Sequence, residues 1–171
     1  MIPTVKRILY ATDLSKNSAY AFYFAVDLAQ RRGAKILILH TVEPMPSYFT
    51  HYGKSVLDKI EQSNINEAIE EIKKRLKVLC QKLETQSGLP CTDLVSDIIV
   101  RKGYPVEEIL ETVEKEACDL IVMGTHGKGF LKQTFLGSVS GAVLGRTRKP
   151  VFIIPLPPEE VEMGWDWDKT P

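Results

Sequence analysis

Five short apolar runs, parted each time by a stretch of different periodicity, set the strongest limit on how this chain can fold. They are KRILYAT at 6–12, AKILILHTV at 34–42, LVSDIIVRKG at 94–103, DLIVMG at 119–124 and PVFIIP at 150–155. The second is almost continuously apolar, the pattern of a strand buried on both faces. Between the runs the spacing becomes helical. Ala21, Ala25, Leu28 and Ala29 recur within 15–32, and Gly33 stands where a helix stop belongs. A long helix is predicted up to residue 87 on Ile65, Ala68, Ile69, Ile72, Leu76, Leu79, Cys80 and Leu83. Pro105 opens another, with Val106, Ile109, Leu110, Val113 and Ala117 on one face. A short helix is predicted over 138–148. Strands alternating with helices define an α/β chain, a parallel sheet covered on both faces and joined by right-handed crossovers.

The 171 residues suit one domain able to bury roughly 70% of its unfolded surface. The 22 basic and 22 acidic residues balance, so no diffuse nucleic-acid or anionic-membrane surface is expected. The start MIPTVKRILYATD lacks the pattern of a secretion signal, and no apolar run approaches 18 residues. A cytoplasmic location is expected. The last residues, 157–171, carry five acids, one lysine and both tryptophans, and read as an acidic appendage to a domain spanning 1–156. Cys80, Cys91 and Cys118 have no metal-type spacing and read as reduced, mostly buried thiols. A bridge between Cys80 and Cys91 around a helix end is the alternative that a cytoplasmic location disfavours. No metal cage is expected from histidines scattered at 40, 51 and 126.

A parallel sheet of this kind binds ligands outside the carboxyl ends of its strands, where the strand order reverses. Thr12 and Asp13 follow the first strand, and the glycine-rich GTHGKGFLKQTFLGSVSGA at 124–142 follows the fourth. Glycines allow close backbone approach and positive φ. Gly137 and Ser138 begin a predicted helix whose unpaired N–H groups and positive dipole end form an anion site. Ser138 and Ser140 add hydroxyls. From 120 to 158 there is no acid, while Lys128, Lys132, Arg146, Arg148 and Lys149 are present. A basic tight turn and a phosphate cradle both fit these features. Asp13 suits the second, since its carboxylate can bond a ribose or base.

Neither G-x-x-x-x-G-K-[ST] nor an early G-x-G-x-x-G nor G-x-S-x-G occurs, which argues against a P-loop ATPase, a classical dinucleotide fold and a nucleophile-elbow hydrolase. What occurs is G-x2-G-x9-G-[ST], filled by Gly124, Gly127, Gly137 and Ser138. With ILYATDLS, VRKGYPVEEIL, CDLIVMGTHGKG and LGSVSGAVLGRTRKPVFII in order, residues 6–154 resemble the ATP-binding branch of the universal stress protein family. The resemblance implies a Rossmann-like five-stranded sheet in the order 3-2-1-4-5. It implies a nucleotide lined by Ala11, Thr12, Asp13, Val42 and Met123, with Asp13 near the adenosine and the Val42 backbone against the adenine. Gly124, His126 and Gly127 would line the ribose and inner phosphates; Gly137, Ser138, Val139 and Ser140 would hold the outer ones. The implied cofactor is ATP or AMP, with Mg²⁺ or Mn²⁺ as its companion, and the implied partner is a second copy joined through 151–154. Ala11 departs from the proline of many relatives, and the tail lies outside the family pattern.

Some residues carry a plainer reading. His40 fits a satisfied core histidine, His126 either touches ligand or caps the turn, and Tyr48, Phe49, His51 and Tyr52 fit a surface loop. Three functions follow. One is an adenine-nucleotide-binding stress or signalling module with slow or no hydrolysis, acting on an unidentified protein partner. Another is a slow ATPase or phosphotransfer enzyme. The third is a dimeric interaction protein without nucleotide. The intact glycine–serine spacing favours the first, and the acid-free loop offers thin support for metal-assisted phosphoryl transfer.

Overall fold

The computed structural model describes residues 3–44, 53–88, 91–125 and 136–155. Among these residues five strands and four helices alternate: β1 (Arg7–Thr12), α1 (Lys16–Arg32), β2 (Lys35–Val42), α2 (Lys54–Ser87), β3 (Val95–Lys102), α3 (Pro105–Lys115), β4 (Leu120–Gly124), α4 (Ser138–Arg146) and β5 (Val151–Ile154). A 3-10 turn, Thr92–Leu94, precedes β3. All pairings are parallel and the order is β3-β2-β1-β4-β5.

Successive strand residues point to opposite faces, so each strand feeds two cores. Ile8, Tyr10, Ile36, Ile38 and Val122 pack on one face beneath Phe22 and Ala25 of α1 and Ile72, Leu76 and Leu79 of α2. Leu9, Leu37, Leu39, Ile121 and Met123 pack on the other with Ile109 and Val113 of α3 and Val143 of α4. The helix ends follow local chemistry. The Ser15 hydroxyl accepts the Ser18 N–H at the start of α1, and Gly33 closes it at φ 65°. Pro105, Glu107 and Glu108 occupy the first turn of α3 and Lys115 its last, matching the helix dipole.

α2 departs from the predicted pattern in its first half. Ile72, Leu76, Leu79 and Cys80 are buried, but Ile65, Ala68 and Ile69 are only half-buried. At 34 residues the helix is about 50 Å long. The eight residues of β2 or β3 reach only about 26 Å, so the helix outruns the sheet it covers. An ion pair between Glu61 and Lys102 ties this half to the end of β3.

The cysteines correct an expectation. Cys80 and Cys91 are joined in a disulfide, with their Cα atoms 5.0 Å apart. The chain leaves α2 through Gly88, at φ 67°, and returns to the helix within 11 residues, which brings the two side chains together. Cys118 remains a buried free thiol, and burial pushes its pKa up to about 11.

Candidate functional site

The switch point lies between β1 and β4. Pairing of these strands ends at Tyr10 and Val122, so Thr12–Asp13 and Gly124–Thr125 form the two lips of a crevice at their carboxyl ends. Asn17, in the first turn of α1, is buried across it. A Cβ on Gly124 would lie 2.7 Å from Asn17 Nδ2 and 3.1 Å from its Cγ. Gly124 therefore makes room for α1 as well as for any ligand. Among the described glycines, φ is positive only at Gly33 and Gly88, so neither Gly124 nor Gly137 is needed for a left-handed backbone.

The first lip is a compact hydrogen-bonded turn. Thr12 Oγ1 accepts the Leu14 N–H at 3.1 Å, and Asp13 Oδ1 accepts the Ser15 N–H at 3.0 Å. Thr12 Oγ1 also lies 2.9 Å from Ser18 Oγ, and the Tyr10 hydroxyl donates to the Ser18 carbonyl at 2.6 Å. Burial raises the Tyr10 phenol well above its ordinary pKa, so it stays a donor at all ordinary pH. His40 is satisfied, as its core reading anticipated: Nδ1 donates to the Thr12 carbonyl at 2.8 Å. A carbonyl only accepts, so Nδ1 carries the proton. Arg75 of α2 reaches the same turn, donating from Nη1 to the Leu14 carbonyl at 2.6 Å and from Nε to Glu71. Asn17, Ser18 and Arg75 were not legible in sequence as parts of this site. Arg75 lies 61 residues from the carbonyl it holds, and no local motif announces such a contact.

The second lip begins at Thr125, whose N–H donates to the Ile154 carbonyl at 2.9 Å. The Gly137 N–H returns to the Thr125 carbonyl at 2.7 Å, closing the base of the glycine loop. Ser140 is buried there, and its hydroxyl lies 2.7 Å from the Thr125 carbonyl and 3.1 Å from that of Gly137. It staples the loop ends together. Ser138 is exposed at the first position of α4, and Val139 packs partly into the core. Gly137 caps α4 without a side-chain hydrogen bond, so no side chain of the N-cap covers the dipole end. Met123 is a core residue under the crevice, and Ala11 is buried in the same face. Val42 ends β2, the strand next to β1, and its carbonyl accepts the Gly103 N–H at 3.0 Å. His126, Gly127, Lys128 and Lys132 lie outside the described residues, as do Tyr48, Phe49, His51 and Tyr52 and the tail from 156 on.

The acid-free stretch is less basic in space than in sequence. Arg146, in the last turn of α4, is paired with Glu107 in the first turn of α3 at 2.9 Å. Lys149 approaches Glu114 at 3.9 Å. Among the described residues, no group of three or more His, Cys, Asp or Glu is placed to hold a metal ion. No helix among them is long and apolar enough to cross a membrane.

A doubly wound sheet with a helix start beside its switch point defines an α/β domain of the Rossmann-like class. Residues 4–155 match the model of the universal stress protein family, and the chain belongs to that family. It is 32% identical over 158 residues to universal stress protein MJ0577 of Methanocaldococcus jannaschii, covering 87% of this chain and 94% of that one. The solved structure of MJ0577 superposes with a TM-score of 0.66 over 91% of this chain and 99% of the other, at 29% identity. The same fold occurs in a universal stress protein solved in complex with cAMP, at 22% identity and TM-score 0.57 over 90% and 98% of the two chains. It occurs again in one from Archaeoglobus fulgidus in complex with dAMP, at 20% identity and TM-score 0.54 over 90% and 99%.

Proposed function

We propose that this chain is an adenine-nucleotide-binding module of stress response or signalling that holds ATP or AMP and turns it over slowly or not at all. The observation that carries the reading is the start of α4 at Gly137, open to an anion on the second lip of the β1/β4 crevice while Asp13 stands on the first. The cAMP and dAMP carried by the two neighbours of this fold support the ligand class. In this reading Ala11, Thr12, Asp13, Val42 and Met123 surround the adenosine, and Gly124, His126 and Gly127 follow the ribose and inner phosphates. Gly137, Ser138 and Val139 offer the α4 start to the outer phosphates, with Ser140 shaping that turn from beneath.

Mg²⁺ or Mn²⁺ fits this site as a cation carried on the nucleotide's own oxygens, with the exposed Ser138 hydroxyl the described donor at the helix start. The module is read as cytoplasmic and homodimeric, and its nucleotide state sets the surface offered to a protein partner. The domain is taken as 1–156 with an acidic tail at 157–171. Cytosolic disulfides are uncommon outside redox-responsive and hyperthermophile proteins. Trapping thiols in intact cells therefore tests the location and the Cys80–Cys91 bond together.

The deciding experiment is calorimetric titration with ATP, ADP and AMP, with analysis of nucleotide released on denaturing fresh protein. Binding is expected, and Gly137→Val should abolish it while the folded signal survives. No heat with any of the three, and no released nucleotide, overturns the proposal.

A further inference from the structure

Leu14 has φ 63°, a left-handed backbone that a branched side chain takes only when its surroundings impose it. Its side chain packs partly against the α1/α2 core, which explains why glycine does not stand there. Both of its backbone polar groups are held by side chains. Thr12 Oγ1 takes the N–H from within the turn, and Arg75 Nη1 bonds the carbonyl from α2, on the opposite wall. The neighbouring Ser15 N–H is the one that bonds Asp13 Oδ1. The bond from Arg75 therefore fixes the residue between Asp13 and the helix start that orients it.

Arg75 is itself prepared for this contact. Its Nε is paired with Glu71 one turn earlier, which aims the guanidinium fork, and its side chain is only 24% exposed. Leu14 and Arg75 together line a narrow cavity of about 30 Å³ beneath α2, and they also line a groove of about 540 Å³ on its outer side. The contact is thus the seam at which α2 meets the β1–α1 turn.

We propose that Arg75 is a positioning residue for the nucleotide site, latching the Asp13 turn to α2 through the Leu14 carbonyl. This rests on the nucleotide-binding reading for its effect on affinity, but the latch itself is a property of the free protein. Without Arg75 the turn loses the partner that holds Leu14 left-handed, and Asp13 no longer keeps one orientation. A strained residue released in this way corresponds to roughly a tenfold change in the fraction of competent turns.

The test uses Arg75→Met, which keeps the apolar stem over the cavity but removes every donor, together with Leu14→Gly and the double variant. Glycine adopts positive φ without strain, so it replaces what Arg75 imposes. Affinity for ATP is measured by calorimetry, and exchange of the Leu14 and Ser15 amide hydrogens by NMR without nucleotide. Arg75→Met is expected to weaken ATP binding about tenfold and to speed exchange of these amides. Adding Leu14→Gly to it should restore affinity to within about threefold. A merely structural role predicts that the second change adds to the damage, and that result overturns the proposal. If the unaltered protein binds no adenine nucleotide, the functional reading fails and the latch is judged on exchange alone: amide protection unchanged in Arg75→Met then overturns it.

Discussion

Gly124 illustrates how much a single missing methyl group decides here. Its hydrogen faces the buried Asn17 amide, and a Cβ would stand 2.7 Å from Nδ2. Asn17 is buried, so relief means turning its amide within a packed site or moving α1 slightly. Gly124→Ala should cost about 1–3 kcal/mol, the usual range for overpacking, read as a lower urea midpoint at unchanged slope. Asp119 makes a prediction of a different kind. Its Oδ2 accepts the Lys6 N–H at 2.7 Å and the Arg7 N–H at 3.0 Å, securing the entry to β1. Those bonds, that from Lys6 foremost, hold its carboxyl below the ordinary 3.8. A depressed pKa in the folded state means the contribution is fully present above the unfolded value and is lost as pH falls through the folded one. Asp119→Asn should therefore lose stability at pH 7, and the gap from the unaltered protein should close below about pH 4. Thermal unfolding across pH 2–7 checks this; a gap independent of pH refutes it. The sequence placed Asp13, Gly137 and Ser138 beside one crevice because strand ends and helix starts have local signatures. It did not reveal Asn17 or Arg75, whose partners are chosen by packing across the sheet.

At the scale of elements, apolar periodicity fixed every strand and helix to within a few residues, since each element is chosen by which face it buries. What periodicity misses is how far an element extends beyond its support. Ile65, Ala68 and Ile69 keep the helical spacing of a buried face yet lie only half-buried, past the edge of what α2 covers. The disulfide is legible in the sequence as a bridge around the helix end, set aside only because a cytoplasmic location disfavours such bonds. Two cysteines 11 residues apart can bond only if the chain reverses between them, which depends on where α2 stops and how the 3-10 turn starts. Closing a loop of this length stabilises the fold by about 3 kcal/mol in the chain-entropy account. Cys91→Ala should lower stability by that order, and reduction of the unaltered protein should do the same. If 10 mM reductant left the unfolding midpoint of a verified dithiol form unchanged, the bond would contribute nothing. Cys118 supplies a control. With its pKa pushed up to about 11 by burial, it should react with a thiol reagent only after unfolding, one equivalent per oxidised chain.

The whole molecule has two sheet edges, and they are guarded unequally. β3 carries Asp97, Arg101 and Lys102 along its length, with the Glu61–Lys102 pair at its end, and charge on an edge discourages pairing with another sheet. β5 reads Val151, Phe152, Ile153 and Ile154, with no charge at all. Phe152 leans on Phe24 of α1, ring centroids 6.0 Å apart, yet remains 38% exposed. Of the cations just before it, Arg146 pairs with Glu107 and Lys149 approaches Glu114, both on α3, while Arg148 is exposed beside the strand start. Four apolar residues with an open row of N–H and C=O groups form a short self-complementary surface, and a two-fold axis beside β5 covers both copies at once. A homodimer through 151–154 is the expected state. The Ile154 carbonyl holds the Thr125 N–H at the base of the glycine loop, so an interface through β5 would share one strand end with the candidate site. Light scattering at micromolar concentration should give twice the 19.3 kDa chain mass. Val151→Lys with Ile153→Lys should give the single chain mass, because two lysines per copy would face each other across the axis. A single-chain mass for the unaltered protein sinks the dimer, and so does an unchanged double mass in the lysine variant. ATP binding measured on that monomeric variant then separates the two roles of β5. Affinity retained within about threefold would place the whole site within one chain, whereas a larger loss would mean that pairing steadies the loop between Thr125 and Gly137.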